Sequence, residues 1–170
     1  TDFSRIKDCE VLWFTFDTPV DDQDEVDLLL IYQTLEIVLP FLRDDMLVVM
    51  TSQTPVGTAG EIQQIIRQSR PDISVDYVYV PENLRLGEAM SCFFNPVRIV
   101  VGAESQRAFG LVRELFAPLE TDFLEMSPAS AEMSKHMLNA FLAASLTFTY
   151  DIADICESVG ADVMDVIRAV

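Results

Sequence analysis

Five short runs of strand-forming residues, separated by helical stretches or polar loops, fix the class of fold this chain can adopt. The runs lie at residues 11–16, 46–51, 75–80, 98–101 and 121–126. Between them, residues 25–42, 59–69 and 105–116 place apolar side chains at the three- and four-residue spacing of a helix that packs one face on a core. Strands alternating with such helices predict an α/β layer with a largely parallel sheet. From Ser127 the pattern changes. Ser127 suits an N-cap and Pro128 the first helical position, and helix formers then continue to Val159, with Gly160 as the stop. About thirty residues at a rise of ~1.5 Å each would span ~45 Å. A second helix, capped by Asp162, is predicted to follow. The chain thus divides into a sheet region, 1–126, and a helical region, 127–170.

Composition removes several functions. The chain has 170 residues, half of them hydrophobic, enough for a buried core. No apolar run approaches the ~20 residues of a membrane span, and the first residues lack the basic start and apolar stretch of an export signal. Cys9, Cys92 and Cys156 are odd in number and widely spaced, which suits reduced thiols in a cytoplasmic protein and speaks against zinc. A net charge of −17 argues against a nucleic-acid partner, which needs clustered Lys and Arg. The densest acidic patch, Asp21, Asp22, Asp24, Glu25 and Asp27, sits where the first long helix is expected to begin, a placement the helix dipole favours.

Ligands of open parallel sheets bind outside the carboxyl ends of the strands, and three polar loops fall there. They are residues 17–19 (DTP), 52–58 (SQTPVGT) and 81–87 (PENLRLG). Turn chemistry alone accounts for any one of them. Three in succession, with a Glu and an Arg inside the third, point to a site. The third opens the segment PENLRLGEAMSCFFNPVRIVVG, residues 81–102, which ends in a fixed Asn-Pro-x-Arg entry to the next strand. On the long helix, Lys135 and Asn139 are four apart and share a face with Glu132. A helical Lys is ordinarily a solvated charge. The apolar residues around this one also suit a Lys that donates a proton or steadies an oxyanion. His136 is the only His, so a His-ligated metal is not expected, and His136 itself reads as a helix-surface or packing residue.

These segments, in this order, resemble the UDP-glucose/GDP-mannose dehydrogenases, which oxidise a nucleotide-sugar alcohol to a carboxylate with NAD. Thr18-Pro19 is similar to the family's Gly-Thr-Pro turn, and residues 52–58 to its Ser-x-x-Pro-Val-Gly-Thr loop. Residues 81–102 resemble its Pro-Glu-Phe-Leu-Arg-Glu-Gly to Asn-Pro-x-Arg-Ile-Val-x-Gly segment. Ser130-Ala131-Glu132, Lys135, residues 139–143 (NAFLA) and residues 156–163 (CESVGADV) resemble the start of its central helical domain.

The resemblance implies the second half of a Rossmann-like, doubly wound sheet followed by a long central helix. Thr18, Pro19, Ser52, Gln53 and Thr54 would lie along the nicotinamide side of NAD. Glu82 and the backbone of Asn83, Leu84 and Arg85 would face a UDP- or GDP-sugar. Lys135 and Asn139, with Glu82, would flank the reacting C6 centre. Helix 128–158 would form the core of a homodimer, and the product would enter polysaccharide biosynthesis. The family's Gly-rich pyrophosphate turn and its nucleophilic Cys segment do not occur in these residues, so the expectation is an internal portion of the enzyme, inactive alone. Gln53 stands where many members have Thr, and Leu86 where they have a second Glu, which implies a rearranged water site, a different substrate or impaired hydrolysis, with Glu88 as a substitute carboxylate. Two other readings compete. One is a hydroxyacid or 6-phosphogluconate-type dehydrogenase, which shares the Lys-x-x-x-Asn pair, and the other is a non-catalytic nucleotide-binding or dimerisation module.

Overall fold

The computed structural model describes residues 2–20, 22–23 and 26–170. They form two compact units, Thr1–Lys135 and His136–Val170. The first is built on a sheet of strands β1 (Val11–Phe14), β2 (Leu47–Met50), β3 (Asp76–Tyr79), β4 (Arg98–Ala103) and β5 (Asp122–Met126), in that spatial order. Its helices are α1 (Leu29–Val38), α2 (Thr58–Ser69), α3 (Ala89–Phe94) and α4 (Gln106–Leu115). Helix α5 (Pro128–Val159) begins in the first unit, and α6 (Val163–Arg168) lies in the second.

The period-two alternation of the strands sorts their side chains onto two helical layers. Val48, Met50, Tyr77, Tyr79 and Val100 face one way and pack with Ile31 and Leu35 of α1 and Ile62 and Ile66 of α2. Leu47, Val49, Val78, Ile99 and Val101 face the other way and pack with Ala108, Phe109 and Val112 of α4. Helices on both faces explain why β2 is buried from end to end, and they make the sheet doubly wound, as the family resemblance implies. Strands β1, β2 and β3 are parallel, so the loops after them emerge at one end of the sheet.

The β3–β4 pair is antiparallel, while β4 and β5 are again parallel. A parallel connection needs a crossover of a dozen or more residues, usually a full helix. The link here carries only the six-residue α3, which buries none of its residues. The register sets Tyr79 beside Gly102, and Gly102 beside Met126, so β5 ends level with the end of β3. Helix α5 starts two residues later.

The first long helix begins later in the chain than the sequence suggests. Helix α1 begins at Leu29 with no acidic residue in its first turn. Asp27 stands just before it and accepts a hydrogen bond from the Leu29 amide at 2.8 Å, a local side-chain turn that competes with helical backbone ahead of the N-cap, Leu28. Asp21, Asp24 and Glu25 lie outside the described residues. At its other end α1 tightens into a 3₁₀ turn at Leu39–Phe41, where Pro40 brings no N–H to continue the helix. Asp162 caps α6 as expected, accepting from the Met164 amide at 2.7 Å.

Candidate functional site

Where β1, β2 and β3 end, their loops enclose a cavity of about 600 Å³. Its wall takes Asp17 and Thr18 from the first loop, Ser52 and Gln53 from the second, and Glu82 and Leu84 from the third. Trp13, Phe16 and Phe93 add aromatic surface that the sequence patterns do not mark as part of a site. Hydroxyls tie the loops together. Thr18 Oγ1 donates to the Gln53 carbonyl at 2.7 Å, and Ser52 Oγ to the Phe16 carbonyl at 2.6 Å. Each hydroxyl retains lone pairs with which to accept from a ligand. Among the described residues the wall carries the carboxylates of Asp17 and Glu82 and no Lys or Arg.

Behind the second loop, helix α2 starts without a side-chain cap of its own. Its N-cap is Gly57, at φ +107°, a backbone conformation glycine tolerates best. A carboxylate from α5 fills the gap. Glu132 Oε2 accepts from the Gly57 amide at 2.7 Å, and Oε1 accepts from the Ala59 amide at 2.8 Å and from Thr54 Oγ1 at 3.3 Å. Glu132 and Thr54 are both fully buried. The charge is offset by these donors and by the positive end of the helix dipole. Burial first, and the Glu132 charge second, hold the Tyr77 phenol well above its ordinary titration range. The amides that would make the start of α2 an anion site are therefore already occupied by a protein carboxylate.

One turn further along α5, Lys135 is half-buried and its Nζ donates to the Glu82 carbonyl at 2.6 Å. The Glu82 carboxylate folds onto its own loop, Oε2 accepting from the Leu84 amide at 2.7 Å. The structure thus brings Thr18, Ser52, Gln53, Glu82 and Leu84 to one cavity and Lys135 to its edge at Glu82. Pro19 follows Thr18 in the first loop, and Asn83 and Arg85 are exposed in the third. Asn139 is exposed on α5, in the second unit. Leu86 is fully exposed, and Glu88 lies 4.0 Å from Arg85 in an exposed ion pair.

The last residue of the Asn-Pro-x-Arg segment has a steric reason. A Cβ added to Gly102 would fall 2.6 Å from Ala131 Cβ and 2.8 Å from Pro128 Cα, so only glycine lets β4 meet the first turn of α5.

Residues 1–120 match the NAD binding domain of the UDP-glucose/GDP-mannose dehydrogenase family, and residues 129–170 match its central domain. The chain belongs to this family. UDP-glucose 6-dehydrogenase TuaD of Bacillus subtilis is 35% identical over 164 residues, covering 96% of this chain and 36% of that protein. UDP-glucose 6-dehydrogenase of Rhizobium meliloti is 37% identical over 170 residues, covering 95% and 38%. Among solved structures, a UDP-glucose dehydrogenase from Pyrobaculum islandicum superposes with a TM-score of 0.90 at 25% identity, covering 99% of this chain and 40% of that one. The chain therefore spans a little over a third of the length of the curated relatives it matches. Membership sets aside the hydroxyacid-type reading, and the doubly wound sheet followed by a long helix is the family's architecture. Among the described residues, no helix is long and apolar enough to cross a membrane.

Proposed function

We propose that the complete protein is an NAD-dependent nucleotide-sugar dehydrogenase that oxidises the C6 alcohol of a UDP- or GDP-sugar to a carboxylate. The observation that carries this reading is the contact of Lys135 with the Glu82 carbonyl, which brings the helix motif and the Pro-Glu loop together at the edge of the cavity. The relatives named above as UDP-glucose 6-dehydrogenases support the substrate class. The 170 residues alone are proposed to be inactive.

The cavity fits one end of the cofactor. A wall of hydroxyls, a carboxamide and aromatic rings, with the carboxylates of Asp17 and Glu82 and no cation among the described residues, suits a flat ring that is positively charged when oxidised, and repels a pyrophosphate. Thr18, Pro19, Ser52 and Gln53 would border that nicotinamide end, with Thr54 holding the loop from behind. NAD supplies the hydride acceptor. The chain's own residues hold and orient the alcohol. The Lys135 ammonium has three donors. One is held by Glu82, which aims the others at a substrate oxygen and at the negative charge that grows there. The backbone of Asn83, Leu84 and Arg85 would complete the sugar contacts.

Helix 128–158 is proposed as the centre of a homodimer. Met137, Phe141, Leu142, Leu146 and Phe148 leave most of their apolar surface exposed along it, the pattern of a surface made to be covered. The activity is tested by NAD reduction in the complete protein supplied with UDP- and GDP-sugars. Lys135→Ala should lower turnover by at least about 10²–10³-fold, the loss typical of removing one oxyanion donor, while nucleotide-sugar binding persists. Unchanged turnover in Lys135→Ala would remove Lys135 from the chemistry.

A further inference from the structure

We infer that Glu132 is a positioning residue, which sets Lys135 relative to the loop at residues 52–58 through its buried hydrogen bonds. The inference rests on the dehydrogenase reading above. A helix start needs partners for its first N–H groups, and a local Ser, Thr, Asp or Asn ordinarily supplies one. Here the partner comes from 73 to 75 residues further along the chain, so the cap of α2 is also a bond between two elements. Burying a carboxylate is costly unless its oxygens are satisfied, and a local cap would avoid that cost. What the distant carboxylate adds is registry. Its two oxygens grip two amides on one side of α5 and thereby fix how that helix is rotated about its axis.

Lys135 follows three residues later, on the same face. The same turn is held a second time by Gly102, against which Ala131 and Pro128 pack with no space for a Cβ. Close packing fixes the helix against β4, and the carboxylate fixes its rotation and the loop that carries Ser52 and Gln53 to the cavity. With both in place, Lys135 Nζ reaches the Glu82 carbonyl. Glu132 itself is wholly buried and does not line the cavity, so its effect passes through Lys135 and the loop.

Glu132→Gln in the complete protein tests this. The amide keeps the size of the side chain but replaces one acceptor oxygen with a donor, so one of the two backbone amides loses its acceptor and faces an N–H instead. A displacement of about 1 Å in a positioning group lowers rate by about 10²-fold. The expected result is a fall in kcat of that order per folded molecule, with KM for nucleotide sugar and for NAD within about threefold. With a sugar deuterated at the oxidised carbon, the isotope effect on kcat should rise above that of the wild type, because hydride transfer becomes the slow step. Simple loss of folded protein would leave the isotope effect unchanged. Glu132→Asp, which keeps the charge but is one methylene shorter, should show the same signature with a smaller loss. Wild-type kcat per folded molecule in either variant overturns the inference, as does failure of both variants to fold, which would make Glu132 a structural staple. A wild-type enzyme without nucleotide-sugar turnover overturns the functional reading, and the inference with it.

Discussion

Gly102→Ala tests whether the seam between β4 and the start of α5 is as tight as it is drawn. The added methyl would lie 2.6 Å from Ala131 Cβ, 2.8 Å from Pro128 Cα and 3.3 Å from the Ser127 carbonyl oxygen. Carbon atoms pack best at about 3.5–4.0 Å, so the first turn of α5 must retreat by about 1 Å. It cannot yield by rotating a side chain, because Ala131 has none to rotate and the other two atoms are backbone. Overpacking of this kind costs about 1–3 kcal/mol. For a domain of this size each kcal/mol shifts Tm by about 2–4 °C, so a fall of roughly 2–12 °C is expected in a thermal unfolding scan. Gly110→Ala is the control. Gly110 lies inside α4 with nothing within 4 Å of an added Cβ, and the same substitution there should stabilise by about 0.5–1 kcal/mol. A Gly102→Ala protein that unfolds at or above the wild-type temperature would refute the steric reading of that glycine.

Alkaline stability offers another test. Tyr32 is pushed up to about 12 by burial, by its hydrogen bond to Glu61 and by the charges of Glu61 and Glu132. The unfolded chain loses this proton near pH 10, whereas the fold keeps it, so stability is full below about pH 10 and falls as pH rises towards 12. Urea midpoints measured across that window should fall less steeply in Tyr32→Phe than in wild type, and equal slopes would contradict the assignment. Phe141→Glu places a charge on the exposed apolar side of α5. Sedimentation should show it weakening or abolishing the proposed dimer of the complete protein, and an unaffected dimer would place the interface elsewhere.

Strong local signals carried most of the fold. Helix α5 was legible because Ser127, Pro128 and Gly160 bracket an unbroken run of helix formers, and α6 because Asp162 precedes it. Short runs of strand-forming residues located all five strands. Helix α3 was hidden, since six residues with no buried face show no periodicity, and with it the antiparallel turn of β4. At the site, the loops declared themselves by composition and position. Glu132 was marked only as a neighbour of Lys135 on one helix face, because its capping partners are set by tertiary contact. The available signals were an uncapped Gly57 and a Glu placed among Ala and Met, and neither names the other. The expected helix start at the acidic patch failed for a related reason. A cluster of Asp and Glu reports where a helix tolerates charge, whereas at the boundary itself the Leu29 amide donates to the Asp27 carboxylate.

The distant cap on α2 also bears on how portable the site is. The loop at residues 52–58 holds its shape through a carboxylate from another part of the chain, and the loop at residues 81–87 meets its Lys across 53 residues. Neither loop is a self-contained module. Moved onto another scaffold with its sequence intact, the SQTPVGT segment would arrive with bare amides at the head of its helix and no fixed path for its backbone. The geometry of such a site belongs to an arrangement of three distant segments, and would have to be transplanted as one.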